Sequence, residues 1–284
     1  MKEQLESLTA YWNLDTNSNS QVGSFNGVDT NITYSSGKFS NGANFNGTTS
    51  NISFANDANL RPTGAFTFGA WIKTTTTGCF FQSASINTNY AGIRFDVSAA
   101  GTVRAIIGNN TGTTQNINFY VVSSTILVND NNWHYIVYSY RNNYIQIYID
   151  GVLDTSSYTI SPVYAGTTYT RLGCQNNSGT NSSFFTGMID DVFLINGYAL
   201  DENTIRLKYL SNTAQGISDI NVIKNAFISS NPLFSGGNTT FSVYCGTDFA
   251  ISNSTISNPC LIVTGKHSLS HLYQKFLELY LINI

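Results

Sequence analysis

Apolar and polar residues alternate in short runs along most of the chain. In "FTFGAWIKT" (66–74), Phe66, Phe68, Ala70 and Ile72 share one side of an extended segment. In "GKFSNGANFNG" (37–47), Phe39, Ala43 and Phe45 alternate with small polar residues before an Asn-Gly turn. "AGIRFDV" (91–97) and "TVRAIIG" (102–108) follow across a Gly-containing turn. "WHYIVYSY" (133–140) joins "YIQIYID" (144–150) through Arg141-Asn142-Asn143, and Asp150-Gly151 signals a second hairpin into "VLDTS". "TRLGCQ" and "FFTGMIDDVFLIN" close the series. Between Tyr144 and Ile149, Ile145, Ile147 and Ile149 take one face, while Tyr144, Gln146 and Tyr148 take the other. The isoleucines need only a core. The tyrosine row is either a ligand platform or a cross-strand cover for the sheet.

Many short strands with such turns predict an all-β sandwich. Helical spacing is confined to two places. In "ALDENTIRLKYLS" (199–211), Asp201 is an N-cap before Ile205, Leu207, Tyr209 and Leu210. In residues 266–284, Leu269, Leu272, Phe276 and Leu279 or Tyr280 form an amphipathic stripe. Residues 213–265 are sparse and polar, with "GGNTTFSVYCGTDFA" the clearest strand-like run. A boundary therefore falls near residue 213, dividing a sandwich (1–212) from a C-terminal strand-and-helix appendage (213–284).

Charged residues make up 10% of the chain, against roughly 25% in an average soluble protein. Asn, Thr, Ser and Gly take their place, so the surface is wetted by neutral groups. The net charge of −3, with no basic stripe, argues against nucleic acid as a partner. No apolar run is long enough to span a membrane, and "MKEQLESLTAYW" does not read as a secretion signal. Cys79, Cys174, Cys245 and Cys260 show no CxxC spacing and read as buried thiols. Cys245 with Cys260 is a bridge only if the protein matures in an oxidising compartment.

"AYWNLD" (10–15), "GKFSNGANFNG", "FTFGAWIK", "NWHYIVYSYRNNYIQIYIDGVL" and "FFTGMIDDVFLINGYALDENTIRLKYL" stand in order. Together they resemble the successive signatures of laminin-G-like domains of the concanavalin A-like lectin/glucanase superfamily, over about residues 9–212. The resemblance implies a two-sheet antiparallel jelly roll that recognises carbohydrate or protein, usually without catalysis. Phe45, Trp71, Ile136 or Val137, Ile147 and Val192 are expected to fill the space between the sheets. Trp12, Trp71 and Trp133 are expected in the core. The resemblance also implies a structural Ca²⁺ held by Asp15 and Asp190. Ser20 stands near the place of a second acidic residue in that first loop, and backbone hydrogen bonding is the alternative role for Asp190.

Retaining glycoside hydrolysis needs two carboxyl groups about 5–5.5 Å apart. The glutamates are Glu3, Glu6, Glu202 and Glu278, so none lies in the predicted strands. Asp190 and Asp191 are neighbours that alternation sends to opposite faces. Asp150 and Asp154 flank a tight turn. His134 beside Trp133 reads as a satisfied histidine, and His267 with His271 as surface residues. The chain is thus expected to be a binder rather than an enzyme.

Sugars offer apolar C–H faces and a hydroxyl rim, which aromatic rings and Asn or Gln side chains match. Tyr90, Tyr120, Tyr138, Tyr140, Tyr144 and Tyr148 alternate with Asn-rich turns at 109–118, 129–132 and 174–182. The candidate ligand-binding residues are Tyr90, Asn109, Asn110, Tyr144, Tyr148, Asn176 and Asn177. The expected ligand is a surface glycan or polysaccharide. By analogy with Asn/Thr/Gly-rich sandwiches of phage fibres, the expected setting is a virion or an extracellular surface. There residues 213–284 would meet other virion proteins or a second copy. The alternative is a structural virion protein, a capsid decoration or fibre subunit, that binds no glycan.

Overall fold

The structure is a computed structural model that describes residues 8–85, 90–164, 169–177, 179–213, 241–245, 249–253 and 264–265. The chain divides into two compact units, Glu3–Ile205 and a second that includes Arg206–Ile284.

Among the described residues, the first unit is a sandwich of two large antiparallel sheets. One holds β3 (Thr33–Ser36), β4 (Asn41–Asn46), β6 (Phe66–Lys73), β11 (Trp133–Arg141), β12 (Tyr144–Ile149), β13 (Val152–Tyr158) and β17 (Thr186–Asn196). Its order is β13-β12-β11-β6-β17-β4-β3, and β1 (Ala10–Trp12) pairs with β17. The other holds β2 (Gly27–Thr30), β5 (Asn51–Phe54), β7 (Gly78–Ser85), β8 (Ala91–Val97), β9 (Thr102–Asn109), β10 (Phe119–Leu127) and β14 (Tyr169–Leu172). Its order is β10-β9-β8-β7-β14-β5-β2. A small hairpin, β15 (Gln175–Asn177) with β16 (Thr180–Ser182), stands apart.

The hairpins form where the sequence supplies residues that tolerate positive φ. Asn142 and Asn143 (φ 53° and 62°) turn β11 into β12, and Asp150 and Gly151 (φ 52° and 77°) turn β12 into β13. Such turns match the right-handed strand twist. The alternation then fills the core. Phe66, Phe68, Ala70 and Ile72 of β6 face Ile93, Phe95 and Val97 of β8, together with Ile136, Ile145, Ile147, Val192 and Phe45. Phe68 lies at its centre, with ring centroids 4.3 Å from Phe81, 5.2 Å from Phe95 and 6.4 Å from Tyr138. Each such aromatic pair adds about 0.5–1.5 kcal/mol beyond area burial.

Helix α1 (Glu202–Thr213) begins where Asp201 caps it. The Asp201 carboxylate accepts the Thr204 N–H at 2.7 Å, and its carbonyl accepts the Ile205 N–H. Just before the helix, the Tyr198 carbonyl accepts from Thr67 Oγ1. The Leu200 carbonyl accepts from Ser139 Oγ at 2.8 Å, and the Leu200 N–H donates to Thr67 Oγ1. This segment therefore crosses the outer face of β6 and β11.

Several expectations change once the faces of the strands are known. Tyr148 is only 1% exposed, next to Asp201 and Glu202, so Tyr144, Gln146 and Tyr148 do not form one exposed row. Trp71 is buried, but on the outer face of β6 rather than between the sheets. Its ring meets Tyr135 at 5.2 Å and Phe39 at 5.8 Å, with Lys38 Nζ 4.3 Å above it. Ile136, not Val137, takes the inward position. Tyr138 and Tyr140 are core residues and are closed to a ligand. Trp12 is buried as expected, whereas Trp133 is only partly so.

In the second unit, β18 (Phe241–Cys245), β19 (Phe249–Asn253) and β20 (Thr264–Gly265) form a small antiparallel sheet. The helix expected over 266–284 lies outside the described residues. So does Cys260, and with it the pairing of Cys245. Cys79 and Cys174 are buried free thiols.

Candidate functional site

The inward residues of β8 and β9 decide which side chains face outward on the seven-stranded sheet. With Ile93, Phe95, Val103, Ala105 and Ile107 in the core, the outer face carries Gly92, Arg94 and Asp96 beside Gly108, Ile106 and Arg104. Gly92 and Gly108 pair directly. A Cβ on Gly108 would stand 2.1 Å from the Tyr90 carbonyl oxygen, and one on Gly92 (φ +85°) 2.4 Å from the Ser83 carbonyl oxygen. Backbone therefore passes where side chains would otherwise stand. A shallow, open depression of about 10 Å³ results, lined by Ala84, Tyr90, Ala91, Gly92, Ile93, Arg94, Ile106 and Gly108.

Three of the expected ligand residues meet at one end of this depression. The Tyr90 ring, half-buried, stacks on Phe119 at 4.0 Å and 11°. Its carbonyl accepts the Asn110 N–H at 3.0 Å. Asn109 donates its N–H to the Asn118 carbonyl at 2.9 Å, and its side-chain oxygen accepts the Thr111 N–H. Asn118 Oδ1 accepts the Thr114 N–H in turn. The Asn-rich turn is thus braced by its own side chains.

Asn176 and Asn177 approach the same face from the β15–β16 hairpin. Gln82, buried in β7, donates to the Asn176 carbonyl at 2.8 Å and accepts the Asn176 N–H at 3.0 Å. Arg94 Nη1 donates to Gln175 Oε1 at 2.7 Å. Asn176 itself is 1% exposed and its side chain serves the hairpin, so of the two only Asn177 is open to solvent. Tyr144 is elsewhere. It is 53% exposed on the other sheet and meets Tyr158 edge-on at 5.8 Å, as does Tyr120.

The sequence reading missed the charges on this face. Asp96, 5% exposed, accepts two hydrogen bonds from Arg104, at 2.7 and 3.0 Å, and lies 3.2 Å from Arg94 Nε. Arg171 sits opposite Gln82, which sits opposite Arg94. The only signal in the sequence was charge at alternate positions in "IRFDV" and "TVRAI", which by itself means a half-exposed strand.

Asp15 and Asp190 both serve the turn between β3 and β4. Asp190 Oδ2 accepts the Lys38 and Phe39 N–H groups at 2.8 and 3.0 Å, and Asp15 Oδ1 accepts the Asn41 N–H at 3.1 Å. They hold the turn that covers Trp71. A bulge at Asp191 (φ 53°) interrupts the β17–β6 register, so strict alternation does not apply to Asp190 and Asp191. The Tyr11 hydroxyl donates to Asp191, and burial beside Asp191, Asp190 and Asp15 pushes the Tyr11 pKa up. Burial pushes the Asp190 carboxyl up to about 7, with Asp191 and Asp15 adding to it. A cation would relieve this crowding. Among the described residues, however, no group of three or more acidic, His or Cys side chains is placed to share one ion.

His134 lies between two carboxylates. Its Nδ1 is 2.8 Å from Asp150 Oδ2 and its Nε2 is 3.1 Å from Asp130 Oδ1. Both ring nitrogens are engaged, which suits a tie between two turns rather than a catalytic base.

A family model for the concanavalin A-like lectin/glucanases superfamily, laminin-G type, matches residues 46–206. No curated protein matches the chain. Among solved structures, the chain is similar to domain 4 of AbnA, a GH43 extracellular arabinanase from Geobacillus stearothermophilus, in complex with arabinotriose. The TM-score is 0.55 at 22% identity, covering 70% of this chain and 97% of that one. It is also similar to the binding domain of Paraclostridial Mosquitocidal Protein 1, with TM-score 0.59, 12% identity and coverage of 72% and 52%. A structure of botulinum neurotoxin type C, whose cell entry depends on interaction with two ganglioside molecules, gives TM-score 0.59, 12% identity and coverage of 76% and 54%. The chain thus spans about half the length of these two toxin chains. At these identities the likeness is one of fold. Strand order, the two-sheet core and a match over more than half of the 284 residues agree: the chain belongs to the concanavalin A-like lectin/glucanases superfamily.

Proposed function

We propose that this protein is a non-catalytic, lectin-like module that binds a glycan on the outer face of its seven-stranded sheet. The observation that carries this is the shallow depression lined by the half-buried Tyr90 ring, Arg94 and Ile106 beside the braced 109–118 turn. A pyranose needs an aromatic wall, a floor its C–H face can approach, and fixed polar groups at the edge. The likeness to an arabinanase domain in complex with arabinotriose and to a toxin binding domain supports the same reading.

Hydrolysis lacks its parts here. The sandwich segment 7–201 contains no glutamate, and Asp96 on the proposed face is held by two arginines. Among the described residues no helix is long and apolar enough to cross a membrane. A virion or other extracellular surface suits a sugar-binding sandwich, with residues 213–284 as the contact to neighbouring proteins. Calcium enters as a structural ion only. Asp15 and Asp190 would hold it, and its charge would offset the crowded carboxylates.

The test is a glycan array with the full chain, followed by calorimetry on the best hit. Tyr90→Ala should weaken binding at least about tenfold while the melting transition stays cooperative. A blank array from a folded, stably oligomeric protein would overturn the lectin reading in favour of a structural virion subunit.

A further inference from the structure

We propose that the saccharide bound by this face carries a carboxylate, and that Arg94 is the side chain that recognises it. The inference rests on the glycan-binding reading and adds the chemical class of the ligand.

The chain is acidic overall, with net charge −3, and sparsely charged. Yet among the described residues, the strand registers bring Arg94 and Arg104 together on this face against the one carboxylate of Asp96. The local sign is opposite to that of the whole protein. Asp96 is already committed, since both its oxygens accept from Arg104. Arg94 lies beside this pair: its Nε is ion-paired with the same carboxylate at 3.2 Å without hydrogen-bond geometry, and its Nη1 donates to the neutral Gln175 side chain. Arg94 therefore shares one carboxylate with Arg104 in a partly desolvated place, its side chain 15% exposed. The same side chain lines the depression with Tyr90.

A guanidinium is planar and donates through parallel N–H groups, a geometry that fits a carboxylate better than a hydroxyl. Burial strengthens such a pair relative to one in open water. A neutral sugar would leave Arg94 and Arg104 sharing Asp96, whereas a uronic or sialic acid would supply a second anion while its ring packs on Tyr90. Were the arginines there only to brace the sheet, Arg94 would have no need to line the depression.

The experiment uses the full chain and matched probes: polygalacturonate against its fully methyl-esterified form, and sialyllactose against lactose. At least one acidic probe should bind about tenfold or more tightly than its neutral counterpart. Arg94→Gln should abolish that preference, and Arg94→Lys should restore it in part, because the charge returns without the fork. Asp96→Asn guards against simple misfolding. It removes the competing anion and should raise affinity for the acidic probe, whereas damage to the sheet would lower it. Equal binding of acidic and neutral probes would overturn this inference and leave the lectin reading standing. An acidic preference that survives Arg94→Gln would overturn the role of Arg94. No binding to any saccharide on the array would overturn both.

Discussion

His134 offers a measurable pH dependence whose sign follows from its neighbours. Its two ring nitrogens face Asp150 at 2.8 Å and Asp130 at 3.1 Å, so the imidazolium can donate to both carboxylates at once. The neutral ring can donate to only one and turns a lone pair toward the other. Hydrogen bonding to Asp150 is the largest cause holding the His134 pKa above its ordinary value, with burial opposing and Asp130 adding. A histidine whose folded pKa is raised stabilises the fold fully below its unfolded pKa, about 6.5, and loses that contribution as pH rises through the folded value. Hydrogen bonds to charged groups are worth about 1.5–3 kcal/mol. The Asp130 side chain is 49% exposed and that of Asp150 32%, so solvent screening reduces the sum to roughly 1–2 kcal/mol. His134→Gln keeps one donor and one acceptor but cannot carry charge. It should therefore destabilise the protein by about 1–2 kcal/mol at pH 5.5 and by much less at pH 9. Urea unfolding of wild type and variant at both values, followed by tryptophan fluorescence, measures the difference. An equal loss at both pH values, or a larger loss at pH 9, would refute the charged tie.

Phe68→Ala should cost about 3–5 kcal/mol, because its ring touches Phe81, Phe95 and Tyr138 in a closed core; a thermal melt shows it directly. If Ca²⁺ binds at Asp15 and Asp190, chelator should lower the melting temperature, since free metal at about 100 times Kd adds about 2.7 kcal/mol. Asp190→Asn should then remove the metal response, and a melt indifferent to chelator would retire the ion. A fragment of residues 9–212 should melt cooperatively without the rest of the chain, because both large sheets lie within it; a dye-binding, non-cooperative fragment would show otherwise.

Much of the sandwich is legible in the sequence because its causes are local. The period of two in Phe66–Ile72 and Ile145–Ile149, the paired turn residues at 142–143 and 150–151, and the Asp201 cap each act within a few residues. Each appears where expected. Tyr90, Asn109 and Asn110 lie together because they flank neighbouring strands. What the tertiary structure alone decided is which of two equally apolar faces meets water. Tyr148 and Trp71 alternate correctly with their neighbours, but one lies beside Asp201 and Glu202 and the other is covered by the 38–39 turn, so neither is a platform. The bulge at Asp191 depends on pairing with a strand over a hundred residues earlier, and no local pattern announces it. The arginine-rich face is the clearest case. Arg94, Arg104 and Arg171 come from three strands, and only the registers of β7 with β8 and β14, and of β8 with β9, bring them to one face, with Arg94 and Arg104 beside Asp96. Strand identity follows from side chains close in sequence, whereas the charge of a sheet face is a sum over strands distant in sequence, which the fold must first bring together.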